Sequence, residues 1–201
     1  MRPLSREEIL DGLEASTRPR VFLEIYGEVA STNQHLLDAP DLELDNLSVC
    51  LAESQSAGRG RRGKAWYSPP YTGLYLSAGW QFRQIPSDLT ALTLAVGVIA
   101  RRVIQAKTDL HIKLKWPNDL IWSDRKLGGV LVEVKKTAKK GDVVTFLARI
   151  GGRKNASFVP TLAMMIVADP SLRSCEIMID GEDHCATPED YCCEDPSLIS
   201  Q

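Results

Sequence analysis

Glu53-Ser54-Gln55-Ser56-Ala57-Gly58-Arg59-Gly60-Arg61-Arg62-Gly63-Lys64-Ala65-Trp66 is the stretch from which the rest of this 201-residue chain can be read. Gly58, Gly60 and Gly63 are interleaved with Arg59, Arg61 and Arg62, and Trp66 closes the run. Glycine lets a backbone come close to a ligand. Successive N–H groups in such a turn form an anion-binding concavity. Arginine adds a planar fork of donors suited to carboxylate and phosphate. A flat indole nearby can stack on a nucleobase. One loop of this composition can hold two anions and a purine side by side. A solvated basic loop, or an arginine–glycine arm for nucleic acid, fits the same run taken alone.

Working outward, Leu47–Ala52 reads as a buried strand leading into the loop, and Val21–Tyr26 alternates as another. Between them Ser31-Thr32-Asn33 opens a helix through Leu36-Leu37, followed by an acidic loop, Asp38–Asn46. Ser5 and Glu8 bracket the start of a short helix over 5–14. Downstream, Leu74–Phe82 is a strand after the turn residues Pro69, Pro70 and Gly73. Leu89, Leu92, Val96, Ile99 and Val103 make an apolar stripe, which predicts a helix over Asp88–Ala106. Ile112–Trp116 alternates, with His111, Lys113 and Lys115 on one face and Ile112, Leu114 and Trp116 on the other, so that Trp116 belongs to the core. Leu120–Trp122 and Lys126–Val134 form a hairpin around Ser123-Asp124-Arg125, and Val143–Leu147 is one more strand after a basic turn. These elements predict an α+β body with helices packed on a mixed, mainly antiparallel sheet.

Composition narrows the function. Hydrophobic residues make up 44% and charged residues 25%, enough to bury a real core. A net charge of −2 makes the arginines a local device and argues against a general nucleic-acid binder. No apolar run is long enough to cross a bilayer and no secretory segment opens the chain, which predicts a cytoplasmic protein without a membrane partner. Cys50 stands apart from Cys175, Cys185, Cys192 and Cys193, an odd count that argues against a disulfide framework. His184 with those tail cysteines matches none of the usual zinc-ligand spacings, so no metal ligand set is assigned there.

Ser31-Thr32-Asn33, Gln55 through Trp66, Lys115-Trp116-Pro117-Asn118-Asp119 and Asp124-Arg125-Lys126-Leu127-Gly128-Gly129 follow one another in a specific order. In that order and spacing the chain resembles the catalytic domain of biotin protein ligases, biotin–[acetyl-CoA-carboxylase] ligases, over roughly residues 5–147. The resemblance implies a class II synthetase-like catalytic domain over residues 1–148. It implies an enzyme that activates biotin with ATP and Mg²⁺ to biotinyl-5′-AMP, then transfers it to a lysine of the biotin carboxyl carrier domain of acetyl-CoA carboxylase. Ser31, Thr32, Asn33 and Gln55 would then bind the biotin ring system. Arg59, Gly60 and Arg61 would close over biotin and the phosphates, and Lys126 would bridge carboxylate and α-phosphate as the chief catalytic residue beside Arg61. Trp66, Lys115, Asn118 and Asp119 would serve ATP, with Asn118 and Asp119 also offering oxygen ligands to Mg²⁺. Plainer readings stand beside these: a helix cap for Ser31 and Thr32, a surface amide for Gln55, a hairpin charge for Lys126, and an edge strand with an Asx turn for Lys115–Asp119.

Two departures from the family pattern bear on activity. Only a short helix, 5–14, stands where many members carry a DNA-binding winged helix, so specific DNA binding is not expected; a homodimer is among the assemblies the family allows. Beyond Leu147 the glycine-rich Gly-x-Gly-x-Asn strand of the family is replaced by Ala148-Arg149-Ile150-Gly151-Gly152. Residues 149–201 then read as a divergent tail, a truncation or frame change in place of the domain's end and an SH3-like domain, with reduced activity as one consequence. A lipoate or octanoate ligase of the same fold and a non-catalytic biotin-binding remnant are the alternative functions.

Overall fold

The computed structural model describes residues 3–39, 46–70, 72–82, 89–136 and 142–151. The heart of the acidic loop, Asp88, the basic turn beyond residue 136 and everything past Gly151, the tail cysteines included, lie outside the described residues.

Helix α1 (Arg6–Asp11) starts where Ser5 Oγ accepts the Glu8 backbone N–H at 3.4 Å, and it buries Ile9. Strand β1 (Val21–Tyr26) and strand β2 (Leu47–Ala52) run parallel, joined through helix α2 (Thr32–Asp38). Parallel neighbours need a crossover, and α2 supplies it. The remaining strands pair antiparallel: β3 (Gly73–Phe82), β4 (Lys113–Lys115), β5 (Asp119–Trp122), β6 (Arg125–Lys136) and β7 (Asp142–Gly151). Among the described residues the sheet has the order β1-β2-β3-β7-β6-β5-β4. The mixed, mainly antiparallel α+β architecture expected from the sequence is the one observed.

Alternation gives the sheet two unlike faces. Val49 and Leu51 of β2, Leu74, Leu76 and Ala78 of β3, and Val130 of β6 join one apolar core. Helix α3 (Leu89–Lys107) covers that face with Leu92, Val96, Ile99, Val103 and Ile104, each under a tenth exposed. The intervening residues lie on the α2 side. Cys50 pairs in register with Ser77 of β3, and both are fully buried. Apolar burial therefore concentrates under α3, and the α2 face is left for polar side chains.

Two details differ from the sequence reading. Strand β4 stops at Lys115, and the chain turns over residues 116–118, so Trp116 leaves the alternation and is 67% exposed instead of core. Strand β7 continues past Leu147 to Gly151 because β3 and β6 hold it on both sides to its end, through Gly73↔Gly151 and Gly128↔Ile150. The sheet thus runs beyond residue 148. At the β5–β6 hairpin, Ser123 (φ 47°) and Asp124 (φ 57°) form a two-residue left-handed turn that aims Arg125 and Lys126 back along β5.

Candidate active site

The α2 end of the site is a buried hydrogen-bonded chain. Ser31 caps the helix, its Oγ accepting the Gln34 N–H at 3.4 Å. Thr32 donates twice to Gln55 Oε1, from its backbone N at 2.9 Å and its hydroxyl at 3.2 Å. Gln55 Nε2 passes a bond to Ser68 Oγ at 3.0 Å. From β3, Ser77 Oγ lies 2.8 Å from Thr32 Oγ1 and 3.3 Å from Asn33 Oδ1. All six of Ser31, Thr32, Asn33, Gln55, Ser68 and Ser77 are buried. Buried hydroxyls and amides must be paired, and here each fixes the rotamer of the next.

The arginine–glycine loop closes over this chain. Trp66 N–H donates to Gly58 O at 2.8 Å and Gly60 N–H to Lys64 O at 2.7 Å, so the loop is a narrow folded ribbon. A Cβ on Gly58 would stand 2.6 Å from Trp66 O and 3.1 Å from Gln55 Nε2, which is why only glycine fits between loop and polar chain. The two alternate arginines diverge. Arg59 Nη2 donates to Gln34 Oε1 at 2.6 Å and lies 3.6 Å from Glu133 Oε2, while Arg61 Nη1 donates to Asn118 Oδ1 at 3.1 Å.

Strand β6 completes the arrangement. Lys126 Nζ is 2.6 Å from Asp119 Oδ1 and 4.8 Å from the centre of the Trp66 ring, an ion pair with a cation–π contact. A Cβ on Gly129 would approach Trp66 Cη2 to 3.3 Å and Asp119 Oδ1 to 3.4 Å, so the bare backbone at Gly129 brings indole, carboxylate and ammonium together. Asn118 is clamped to β6 by Val130 N–H donating to its carbonyl at 2.8 Å and its own Nδ2 donating to Val130 O at 3.0 Å. Lys115, Asn118 and Asp119 border a shallow hollow against Leu94 and Gly97 of α3. Arg59 and Lys126 are held beside the carboxylates of Glu133 and Asp119, and Arg61 by the Asn118 amide, an electrostatic frame an anionic ligand enters with little reorganisation.

The sequence-predicted residues thus form two adjoining sets. Ser31, Thr32, Asn33 and Gln55 share the buried chain; Arg61, Trp66, Asn118, Asp119 and Lys126 share the charged cluster; Gly60 and Arg59 lie between them, with the Arg59 guanidinium on Gln34 and Glu133. Lys115 is exposed at the hollow's rim. Sequence reasoning missed Ser68, Ser77 and Glu133, whose partners lie 13, 44 and 100 residues away along the chain. Only the pairing of β2 with β3, Cys50 opposite Ser77, brings that serine to the α2 face.

Outside the site, Glu24, Tyr26 and His35 cluster where β1 meets α2. Tyr26 OH donates to Glu24 Oε1 at 2.8 Å, and His35 Nε2 lies 3.0 Å from Glu24 Oε2. Burial acts to raise the Glu24 carboxyl, but hydrogen bonds from His35 and Tyr26 and the charge of His35 outweigh it and hold it below its ordinary value. The hydrogen bond to Glu24 raises the Tyr26 hydroxyl. Burial, helped by the Glu24 charge, pushes the Cys50 thiol up to about 12.

A model of the biotin/lipoate A/B protein ligase family matches residues 26–149, more than half of the chain and every site residue named above. The chain belongs to that family. Within it, the bifunctional ligase/repressor BirA of Escherichia coli is 38% identical over 148 residues, 74% of this chain and 44% of that protein. The biotin–[acetyl-CoA-carboxylase] ligase of Mycobacterium tuberculosis is 32% identical over 138 residues, 66% of this chain and 52% of that one. The chain spans about half the length, or less, of these curated relatives. The biotin acetyl coenzyme A carboxylase synthetase of Helicobacter pylori, solved with bound biotinylated ATP, superposes with a TM-score of 0.57 at 25% identity, covering 73% of each chain. The biotin protein ligase of Aquifex aeolicus, with a TM-score of 0.58 at 24% identity and coverage of 76% of this chain and 70% of that one, shows the same fold.

Proposed function

We propose that residues 1–148 act as the catalytic domain of a cytoplasmic biotin protein ligase, joining biotin to ATP and then to a lysine of the biotin carboxyl carrier domain of acetyl-CoA carboxylase. One observation carries the reading: a dry chain of neutral donors and acceptors, Thr32–Gln55–Ser68 with Ser77, abuts a cluster of fixed cations, Arg61 and Lys126. Biotin has the same two-part chemistry, a rigid ureido ring needing donors and acceptors and a remote carboxylate needing positive charge. The relatives named as biotin ligases and the neighbour solved with biotinylated ATP support the same assignment.

In the first step a biotin carboxylate oxygen attacks the α-phosphorus of ATP. A P–O bond forms, the bond to the bridging oxygen breaks, and pyrophosphate leaves. Two anions must meet, so Lys126 exchanges Asp119 for the ligand oxygens, and Arg61 leaves Asn118 for the phosphates as charge builds there. Trp66, already beneath the Lys126 ammonium, presents a flat face for adenine. Asn118 and Asp119 supply oxygen donors of the kind Mg²⁺ takes alongside substrate phosphates, and the ion would neutralise phosphate charge there. In the second step a carrier lysine amine attacks the acyl carbon; the amide forms, AMP departs, and the loop over the ligand keeps water from the mixed anhydride.

Biotin binding without ligation is a second reading, favoured by the family match ending at residue 149, inside β7. Incubation of the chain with biotin, Mg-ATP and a biotin carrier domain separates the two. A mass gain on the carrier equal to one biotinyl group is expected. Biotin uptake with neither pyrophosphate nor carrier modification would select the second reading, and tighter uptake of lipoate than of biotin would overturn both.

A further inference from the structure

Glu133 lies on β6, four residues beyond Gly129, and no part of the chemistry above uses it. Its Oε2 nevertheless receives a hydrogen bond from Asn33 Nδ2 of α2 and faces Arg59 Nη2 of the loop at 3.6 Å. Asn33 is held at its other end by Ser77, 3.3 Å from Oδ1, so the two contacts fix which way its amide points. Arg59 is tied again to α2 through Gln34 Oε1 at 2.6 Å. Helix, loop and strand therefore converge on one carboxylate that is only 31% exposed. Arg59 Nε is buried and has no hydrogen-bond partner among the described residues.

We infer that Glu133 is a positioning residue: its charge holds Arg59 and orients Asn33 so that the arginine–glycine loop sits over the buried polar chain in a ligand-ready form. The inference rests on the biotin reading above. A negative charge here also sets the loop's own balance. Without it, Arg59 keeps only its bond to Gln34, and the loop loses its tie to β6. The loop then has more conformations to surrender when biotin arrives, and affinity falls by that fraction.

Titration calorimetry on the full chain tests this with Glu133→Gln and Glu133→Ala, reading the Kd for biotin and the binding stoichiometry separately. Positioning predicts a Kd raised roughly tenfold for Glu133→Gln and more for Glu133→Ala, at unchanged stoichiometry. A merely structural role predicts the reverse, fewer competent molecules with the Kd kept, and overturns the inference; so does a Kd within about twofold of wild type in both variants. Should Glu133→Ala not fold, the isosteric amide decides alone. A wild-type chain that takes up no biotin refutes the functional reading together with this one, whereas wild-type uptake matched by the variants refutes only the role of Glu133.

Discussion

Adding one methyl group to each glycine of the loop in turn should produce three different results. At Gly58 the new Cβ would lie 2.6 Å from the Trp66 carbonyl oxygen and 2.8 Å from Ser68 Oγ. Backbone cannot swing aside as a side chain can, so relief requires the loop to move by most of an ångström. Overpacking of this kind costs about 1–3 kcal/mol. The shift also stretches the 2.8 Å bond from Trp66 N–H to Gly58 O, worth about 1 kcal/mol. Gly58→Ala should thus lose about 2–4 kcal/mol, divided between unfolding free energy and biotin affinity. At Gly63 nothing lies within 4 Å, but φ is +70°, so the cost is strain alone, about 1 kcal/mol. At Gly60 the nearest atoms are at 3.4 Å and the backbone (φ −112°, ψ −175°) suits any residue, so Gly60→Ala should be neutral or stabilise by about 0.5 kcal/mol. Urea unfolding and biotin calorimetry on the three variants give the order Gly58, Gly63, Gly60 from most to least damaging. Equal effects at Gly58 and Gly60 would refute the steric argument.

Other substitutions probe single links. Thr32→Val removes a hydroxyl that Gln55 and Ser77 both use, and should cost about 1–3 kcal/mol in chemical denaturation with a matching loss of biotin affinity. Lys126→Gln should lower the rate of biotin-dependent pyrophosphate release by about 10²–10³ while leaving the fold intact by circular dichroism. The Cys50 thiol is raised from 9.0 to about 12, so the folded state keeps a proton the unfolded state gives up. This contribution is whole below pH 9.0 and declines as pH climbs toward about 12; Cys50→Ala should flatten that slope in urea titrations. Native Cys50 should also resist iodoacetamide at pH 8, read by peptide mass spectrometry, since a buried neutral thiol is inert.

Strands β1 and β2 were legible to the residue and helix α2 to within one, because alternation and a serine cap are local devices. Strand β7 was not, since Arg149 and Gly151 look like strand enders and are held extended by β3 and β6, a cause no local pattern carries. Trp116 misled because two preceding residues alternate and the turn that follows discards the pattern. Within the site, unusual composition announced the loop, and the family resemblance supplied Ser31, Gln55 and Lys126. Ser77 and Glu133 stayed hidden because a lone serine or glutamate in a strand has no distinguishing neighbour; only the folded register brings them to α2.

Exchange of labelled pyrophosphate into ATP, with and without biotin, tests the central claim most directly because it isolates the first half-reaction from any carrier. The account predicts exchange that requires biotin in the wild-type chain and is absent when Arg61 and Lys126 are both replaced by Gln. Biotin-dependent exchange that persists in the double variant would contradict it.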